Sequence, residues 1–238
     1  MTTMLVLSLR QLAGGRRAWI MLLLAAIPLL FALIYRLAGG EETPTEFGDG
    51  LTSHLIVSTI LPLMMLVLAT AAFGNELDDR TLPYLILKPL PRWKIVLPKL
   101  LAPLLVGGVP VVVSGYLATL IVTEGDVGYA LTTAAALLVG ATAYAALFTW
   151  AGLAIRYALP FGVAYIFVWE AALSTFLGGT RFLSVRQYTL AVVHGLDDSR
   201  LARETIGLDL PGALIGAVLV VIASLVLTTR RLSRMDIP

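Results

Sequence analysis

The chain of 238 residues contains no cysteine and only two histidines, His54 and His194. Disulfide scaffolds are therefore excluded, and no His-Glu-x-x-His pattern offers a zinc site of the metalloprotease type. The sequence also lacks the Gly-x-x-x-x-Gly-Lys-Ser/Thr loop that binds ATP phosphates and the Gly-x-Ser-x-Gly turn of serine hydrolases. No motif for covalent, metal or nucleotide chemistry is evident.

Charged residues are scarce as well. They make up 13% of the chain, whereas 58% of the residues are hydrophobic and the mean hydropathy is +0.90. A water-soluble globular domain carries about 25% charged and about 45–50% apolar residues. Disorder and a free cytosolic enzyme are therefore excluded, and the composition indicates an integral membrane protein.

Long uncharged runs account for this composition. An α-helix rises about 1.5 Å per residue, so about 20 apolar residues cross the roughly 30 Å hydrocarbon layer of a bilayer. The runs are apolar on all sides, whereas strands of a transmembrane barrel alternate apolar and polar residues. We therefore predict one all-α domain, residues 1–238, with six transmembrane helices at about 18–38, 52–73, 98–122, 129–155, 158–177 and 210–229.

Six crossings place both termini on one side of the membrane, and the charges indicate which side. That side carries twelve of the 17 basic residues, against the four acids Glu76, Asp78, Asp79 and Asp236. Lysine and arginine are retained in the cytoplasm during insertion, so both termini are predicted to be cytoplasmic. The net charge of +2 reflects this bias, and no nucleic-acid partner is expected. The twelve basic residues are Arg10, Arg16, Arg17, Arg80, Lys88, Arg92, Lys94, Lys99, Arg156, Arg230, Arg231 and Arg234.

Residues 1–17 precede the first predicted span. Leu5, Leu9 and Leu12 recur at helical spacing among basic residues, which is typical of a helix lying in the membrane interface. A frayed basic N-terminus is the alternative. The apolar run that follows is longer than the usual signal-peptide core of about 7–15 residues, which favours an uncleaved first span.

The link between the second and third spans, residues 74–97, is the longest on the cytoplasmic side. Asn75 and the acidic cluster Glu76–Asp79 are residue types that cap or begin a helix. Pro89 and Pro91 prevent that helix from continuing through them. Two interpretations stay open, a short helix parallel to the membrane and a solvated loop.

The third span is rich in helix-perturbing residues. Proline frees carbonyl groups in a membrane helix and tends to kink it, which predicts a mobile or reshaped helix. The alternative is that these residues only allow close packing. They are Pro98, Pro103, Gly107, Gly108, Pro110 and Gly115.

The outer segment 178–209 is too apolar for a simple linker. Its residues 181–195 interleave apolar side chains with Arg181, Arg186 and His194. This pattern predicts an amphipathic segment between spans five and six that dips into the outer membrane interface.

Glu170 is the one acid within a predicted span. An intramembrane carboxylate is costly and suggests a substrate pathway or a partnered site. The structural alternative places Glu170 at a re-entrant bend, hydrogen-bonded to the outer segment or to Arg181. An intramembrane enzyme with Glu170 as acid or base would require another polar residue facing it.

The stretch 73–101 combines an acid after the second span, a Thr-Leu-x-Tyr-Leu core, a Pro-x-x-Arg turn and a lysine entering the third span. The counterparts are Glu76, Thr81–Leu85, Pro89–Arg92 and Lys99. With the six-span layout, this combination resembles the permease subunits of ABC-2-type ABC transporters. One departure is Arg80, where relatives commonly have glycine.

The resemblance implies a dimeric permease, formed with a second copy or a related permease, and two ABC ATPase subunits docked on its cytoplasmic face. The 74–92 segment would be the coupling helix that enters a groove of the ATPase. ATP and magnesium are expected on that partner, with no cofactor and no enzyme activity in this chain. The residues expected to contact the ATPase are Glu76, Asp78, Asp79, Arg80, Tyr84, Arg92 and Lys94.

The resemblance further implies an exporter in the inner membrane of a prokaryotic cell, surrounded by membrane lipids, with its substrate route at the dimer interface. An apolar lining suits lipid-like or drug-like substrates. The alternatives are a standalone membrane transporter or scaffold, and the intramembrane enzyme that uses Glu170. Spans 1–3 and 4–6 show no matching breaks of the kind that inverted-repeat transporters contain.

Overall fold

A computed structural model describes residues 2–14, 16–39, 42–79, 81, 91–173, 182–197 and 208–234. Over these residues the chain is helical and contains no β-strand, which confirms the predicted all-α class. The helices are α1 (Thr2–Leu12), α2 (Arg16–Ala38), α3 (44–78), α4 (Trp93–Val122), α5 (Val127–Ala154), α6 (158–173), α7 (Val185–Gly195) and α8 (Leu210–Ser233).

Five of these helices, α2, α3, α4, α5 and α8, contain a stretch long and apolar enough to cross a membrane. They correspond to five of the six predicted spans. The described part of α6, residues 158–173, rises only about 24 Å against a hydrocarbon layer of roughly 30 Å. The predicted span 158–177 ends among residues outside the described part, so the count of six stays a prediction.

Helix α3 begins at Pro44, well before the predicted start of the second span at about residue 52. Thr43 and Glu46 form a capping box, in which the Thr43 hydroxyl accepts the Glu46 backbone N–H and the Glu46 carboxylate accepts the Thr43 backbone N–H. Proline at the first helical position suits this start because its ring presets a helical φ. The polar residues of this first turn therefore belong to the helix.

Helix α3 also continues to Asp78, past the predicted end of the second span at residue 73. Glu76 and Asp78 lie in its last turn, and the backbone N–H of Asp79 donates to the carbonyl of Asn75 at 2.9 Å. The acidic cluster therefore ends the spanning helix and does not begin a new one. A separate coupling helix would lie within 79–92, of which residues 80 and 82–90 are outside the described part.

Among the described residues, helices α3, α4 and α6 each contain a π-helical stretch, in which hydrogen bonds join residues five apart and the helix widens. In α4 the stretch Leu104–Gly108 directly follows Pro103, where proline removes a backbone hydrogen bond. Gly107 lies against Leu68 of α3, where a β-carbon would collide with the leucine side chain. Reshaping and close packing thus both occur in this helix. The other stretches are Leu51–Ile60 and Tyr165–Leu173.

Helix α5 lies at the centre of the bundle and packs against α3, α4, α7 and α8. Its buried positions are rich in small residues, which let membrane helices approach closely. At Gly152 the approach to α3 is limited by backbone, because a β-carbon there would lie 2.5 Å from the Thr70 carbonyl oxygen. Small side chains along α5 therefore set the spacing of the bundle.

One end of the bundle gathers the ends of four long helices. Phe73, Ile95, Val96, Leu153 and Leu232 form a buried cluster there. Helix α1 packs against the first part of α4, so it lies at the same end as the last turn of α8. We call this the basic end, because the arginines at the end of α8 also lie there. Because α5 and α8 both end here, the chain must return to the opposite end somewhere after α5 and before α8 begins.

Helix α1, Thr2–Leu12, lies within residues 1–17, where the sequence predicts an amphipathic helix. Leu12 is buried, and Leu5 and Leu9 pack against the core, as their spacing indicates. Val6 and Leu7 point the other way and are exposed. The amphipathic pattern therefore packs one face of α1 on the bundle.

Helix α7 occupies the predicted amphipathic outer segment, but it is not spread over a surface. Every residue from Gln187 to His194 is buried. Thr189 lies against Gly140 of α5, and Tyr188 lies against Gly216 of α8. Helix α7 is thus inserted between two helices, because their glycines leave room that the pattern of α7 itself does not reveal. Its predicted position at the outer membrane interface stays a prediction.

Candidate functional site

At the basic end, Glu76 of α3 and Lys99 of α4 form a buried ion pair. Glu76 is 9% exposed and Lys99 is 3% exposed. The Lys99 ammonium also donates a 2.6 Å hydrogen bond to the carbonyl oxygen of Ala72 and lies 5.7 Å from the centre of the Phe73 ring. Lys99 thereby joins the start of α4 to the last turns of α3.

The position of Glu76 explains why it requires a cation. The C-terminal end of a helix carries partial negative charge, so an acid in the last turn of α3 is unfavourable. Lys99 offsets this charge at a site from which water is excluded. The Oε2 atom of Glu76 is buried and has no hydrogen-bond partner among the described residues.

The remaining predicted coupling residues lie close to this pair in sequence. Asp78 ends α3, and the exposed Asp79 follows it. Arg92 immediately precedes α4 and is half-buried. The Lys94 ammonium lies 5.6 Å from the centre of the exposed Trp93 ring. These residues mark the two points where the link leaves and enters the bundle.

The predicted coupling residues differ in their orientation. Glu76 directs its charge into the chain, whereas Asp79 faces outward. Arg80 and Tyr84 lie outside the described residues.

Towards the opposite end, the carboxylate of Glu170 is 2% exposed and receives hydrogen bonds from α6 and from the start of α7. Its Oε1 atom accepts the Tyr165 hydroxyl at 2.6 Å and the Val185 backbone N–H at 3.1 Å. Its Oε2 atom accepts the Ser184 hydroxyl and, at 3.2 Å, the Arg186 backbone N–H. Glu170 therefore connects two helices that are separate in sequence.

Glu170 acts as a cap for α7 supplied by another helix. The first N–H groups of a helix lack partners within it and carry partial positive charge, which favours a carboxylate there. The Ser184 hydroxyl completes the cap by accepting the Gln187 backbone N–H at 3.2 Å. In the other direction, the Arg186 guanidinium donates to the backbone carbonyl of Glu170 at 3.2 Å.

The π-helical stretch of α6 aligns two of these groups. Tyr165 and Glu170 are five residues apart, and in a π-helix residues at this spacing lie on nearly the same side. An ordinary α-helix would separate them by more than a quarter turn. The widened helix thus lets the tyrosine hydroxyl reach the carboxylate.

This arrangement holds α7 in place and is poorly suited to acid–base chemistry. Tyr165 and Ser184 are the polar partners that an intramembrane enzyme would require, but both donate to Glu170 and occupy the oxygens that a base would use.

Close to Glu170, the hydroxyl of Tyr188 donates to the Phe182 carbonyl. Burial, and secondarily the charge of Glu170, raises the pKa of Tyr188. Within the described residues, no group of three or more histidine, aspartate and glutamate side chains could hold a metal ion.

Sequence reasoning did not identify Tyr165 and Ser184 as partners of Glu170, nor Lys99 as the partner of Glu76. Two signals were present. Ser184 and Gln187 have the Ser-x-x-Gln spacing of a helix N-terminus. Glu76 and Lys99 are opposite charges at the adjoining ends of two consecutive spans. Tyr165 had no such signal, because its contact depends on the π-helical widening.

The chain matches a known protein family. A family model described as an ABC-2 family transporter protein matches residues 16–177, which extends from α2 beyond α6 and includes the link between α3 and α4. No curated protein sequence matches the chain. Family membership and the five long apolar helices make the chain a multi-pass membrane permease of the ABC transporter class. The match covers well over half of the chain, which therefore belongs to the ABC-2 family of transporter proteins.

Proposed function

We propose that this chain is the membrane subunit of an ATP-driven exporter and couples ATP hydrolysis by a separate ATPase to substrate movement. The ABC-2 family match supports this assignment. ATP and magnesium bind the ATPase, and the chain itself contributes no catalytic residue. Its task is mechanical: it receives movement at one end and changes the arrangement of its helices.

The buried Glu76–Lys99 pair is the observation that carries this proposal. It joins α3 and α4 where the link between them begins and ends. Breaking a buried ion pair is strongly unfavourable because one charge is left without a partner in an apolar site. A force on the link therefore moves α3 and α4 together.

The link 79–92 is the surface that docks on the ATPase. Asp79 is exposed at its start, and Arg92 lies at its end. Charges on a docking surface mainly set register and specificity. In the proposed complex Asp78, Asp79, Arg80, Tyr84, Arg92 and Lys94 contact the ATPase, and Glu76 acts indirectly by positioning the link.

The basic end faces the cytoplasm in this proposal, and both termini lie there. The charge asymmetry of the sequence supports this orientation, since positively charged ends are retained in the cytoplasm. The membrane is the inner membrane of a prokaryotic cell. An ATPase on the cytoplasmic side has direct access to ATP, which is consistent with docking at the basic end.

The working unit is a dimer of permeases, from two copies of this chain or a related pair, with two ATPase subunits. Helices α2 and α8 support such an assembly because they expose large apolar side chains to the surroundings, which a second permease and lipids can cover. A route for lipid-like or drug-like substrates at this interface suits its apolar character.

The test is purification of the full tagged chain from its native membrane in mild detergent, with mass-spectrometric identification of the proteins that accompany it. We expect an ATPase with a phosphate-binding loop at a near-equal ratio. Asp79→Lys reverses an exposed charge at the start of the link and should abolish this copurification.

Glu42→Lys is the matched control, because Glu42 is an exposed acid near the opposite end of the bundle. It should leave the ATPase bound. A wild-type chain that purifies alone and without ATPase activity would overturn the proposal. Equal loss of the ATPase in both variants would overturn the placement of the docking surface.

A further inference from the structure

A half-open cavity of about 760 Å³ lies at the basic end of the bundle, apart from the Glu76–Lys99 pair. Its walls are the face of α3 from Val67 to Leu77, the segment 152–160 that joins α5 to α6, and Arg231 of α8. This volume lies within the range of about 300–1,000 Å³ that is usual for small-molecule sites.

The walls change from apolar to basic along the length of the cavity. Val67 and Ala71 line the part farther from the end of α3, and Leu159 in the first turn of α6 also lines the cavity. Arg156 and Arg231 line the part near the end of the bundle. From Val67 to Leu77 the α3 helix rises about 15 Å, which is long enough to separate a charged group from an apolar chain.

The two arginines are available to an anion. Both are exposed, and neither takes part in the ion pairs Arg36–Glu124 and Glu76–Lys99. The Arg156 guanidinium lies 5.6 Å from the centre of the Tyr157 ring, and both residues line the cavity. Guanidinium groups bind phosphate oxygens through paired hydrogen bonds.

The mouth of the cavity borders apolar surface. Tyr157 is 68% exposed, Leu159 is 47% exposed and Phe161 is 55% exposed. Aromatic side chains at the end of a membrane helix are typical of the level of lipid headgroups. A basic site at this level, with apolar walls leading inward, matches a lipid better than an acidic protein segment.

We propose that this cavity binds one anionic phospholipid, with its phosphate at Arg156 and Arg231 and part of an acyl chain along Val67 and Ala71. Basic pockets between membrane helices are a known mode of binding anionic headgroups. The site does not depend on docking of the ATPase, so it can be tested on the chain alone.

The experiment uses the full chain in nanodiscs of phosphatidylcholine with a minor fraction of phosphatidylglycerol. Lipids retained after mild detergent extraction are counted by native mass spectrometry. The wild type should retain phosphatidylglycerol selectively, and Arg156→Gln with Arg231→Gln should reduce this selectivity by about fivefold per arginine. Glycerol 3-phosphate, which lacks acyl chains, should not displace the lipid.

Arg230→Gln is the matched control, because Arg230 precedes Arg231 in α8, carries the same charge and does not line the cavity. It should retain the lipid as the wild type does. Equal retention by the double variant, or equal loss in the control, would overturn the site. If the double variant retained the lipid but lost a copurifying ATPase, the arginines would belong to a protein contact. That result would also overturn the lipid site. Equal thermal unfolding of all variants in neutral lipid confirms that they are folded.

Discussion

Gly152 of α5 lies against the backbone of Thr70 in α3. A β-carbon at Gly152 would be 2.5 Å from the Thr70 carbonyl oxygen and 2.8 Å from its Cα atom. Backbone atoms of a spanning helix cannot move aside as the end of a side chain can. The absence of a side chain at this one position therefore sets how closely the two helices approach.

Gly152→Ala should destabilise the protein by about 1–3 kcal/mol, because the added methyl group forces α3 and α5 apart. Thermal unfolding in detergent measures the effect as a lower midpoint. Gly74→Ala is the control, since a β-carbon at Gly74 meets nothing within 4 Å. A helical Gly→Ala substitution without a clash is stabilising by about 0.5–1 kcal/mol. A midpoint for Gly152→Ala as high as that of the control would contradict the close approach.

Lys99→Met should cost about 3–5 kcal/mol, because it leaves the Glu76 carboxylate buried without its cation. Adding Glu76→Leu should restore much of that loss, since apolar residues of similar size replace the whole pair. A double-mutant cycle of thermal unfolding measures the coupling. If the double variant lost as much stability as the two single variants together, the charges would not act as a pair.

The same double variant separates stability from coupling. Under the proposed function, Glu76→Leu with Lys99→Met should fold and still bind the ATPase, yet lose substrate-stimulated ATP hydrolysis. The reason is that the ends of α3 and α4 are no longer locked to the link between them. The measurement compares basal and stimulated ATPase rates of the reconstituted complex. Unchanged stimulation would restrict the pair to a role in stability.

Glu170→Gln should loosen α7, because an amide NH₂ group replaces a carboxylate oxygen that now faces only donors. Hydrogen bonds to a charged group contribute about 1.5–3 kcal/mol, and neutral ones about 0.5–1.5 kcal/mol. Hydrogen exchange of the backbone amides in 185–195 should therefore accelerate strongly in this variant. Tyr165→Phe removes one donor and should have a smaller effect. Equal protection of α7 in all three proteins would argue against the cap.

Arg36→Gln should change the midpoint of thermal unfolding very little. Arg36 pairs with Glu124, but the two side chains are 49% and 64% exposed. Exposed ion pairs contribute at most about 1 kcal/mol because water already solvates both charges. A loss as large as that of Lys99→Met would show that this pair is shielded from water in the membrane-bound protein.

The helix boundaries show what hydropathy alone can and cannot predict. The apolar runs located the five long helices, but they predicted the second span at 52–73, whereas α3 spans 44–78. Apolar runs report the part of a helix that lies in lipid. Helical hydrogen bonding continues into polar turns, and the Thr43–Glu46 capping box was the local signal that marked the true start.

The sequence by itself determined the helical membrane class, the positions of the long helices and the family resemblance that the match at 16–177 confirmed. These follow from composition and local order, which act over a turn or a span. Only the tertiary structure decided that Lys99 neutralises Glu76, that Glu170 caps α7, and that α7 is buried between α5 and α8. Each of these depends on residues from different helices, whose proximity arises from packing and is not encoded in any one stretch of sequence.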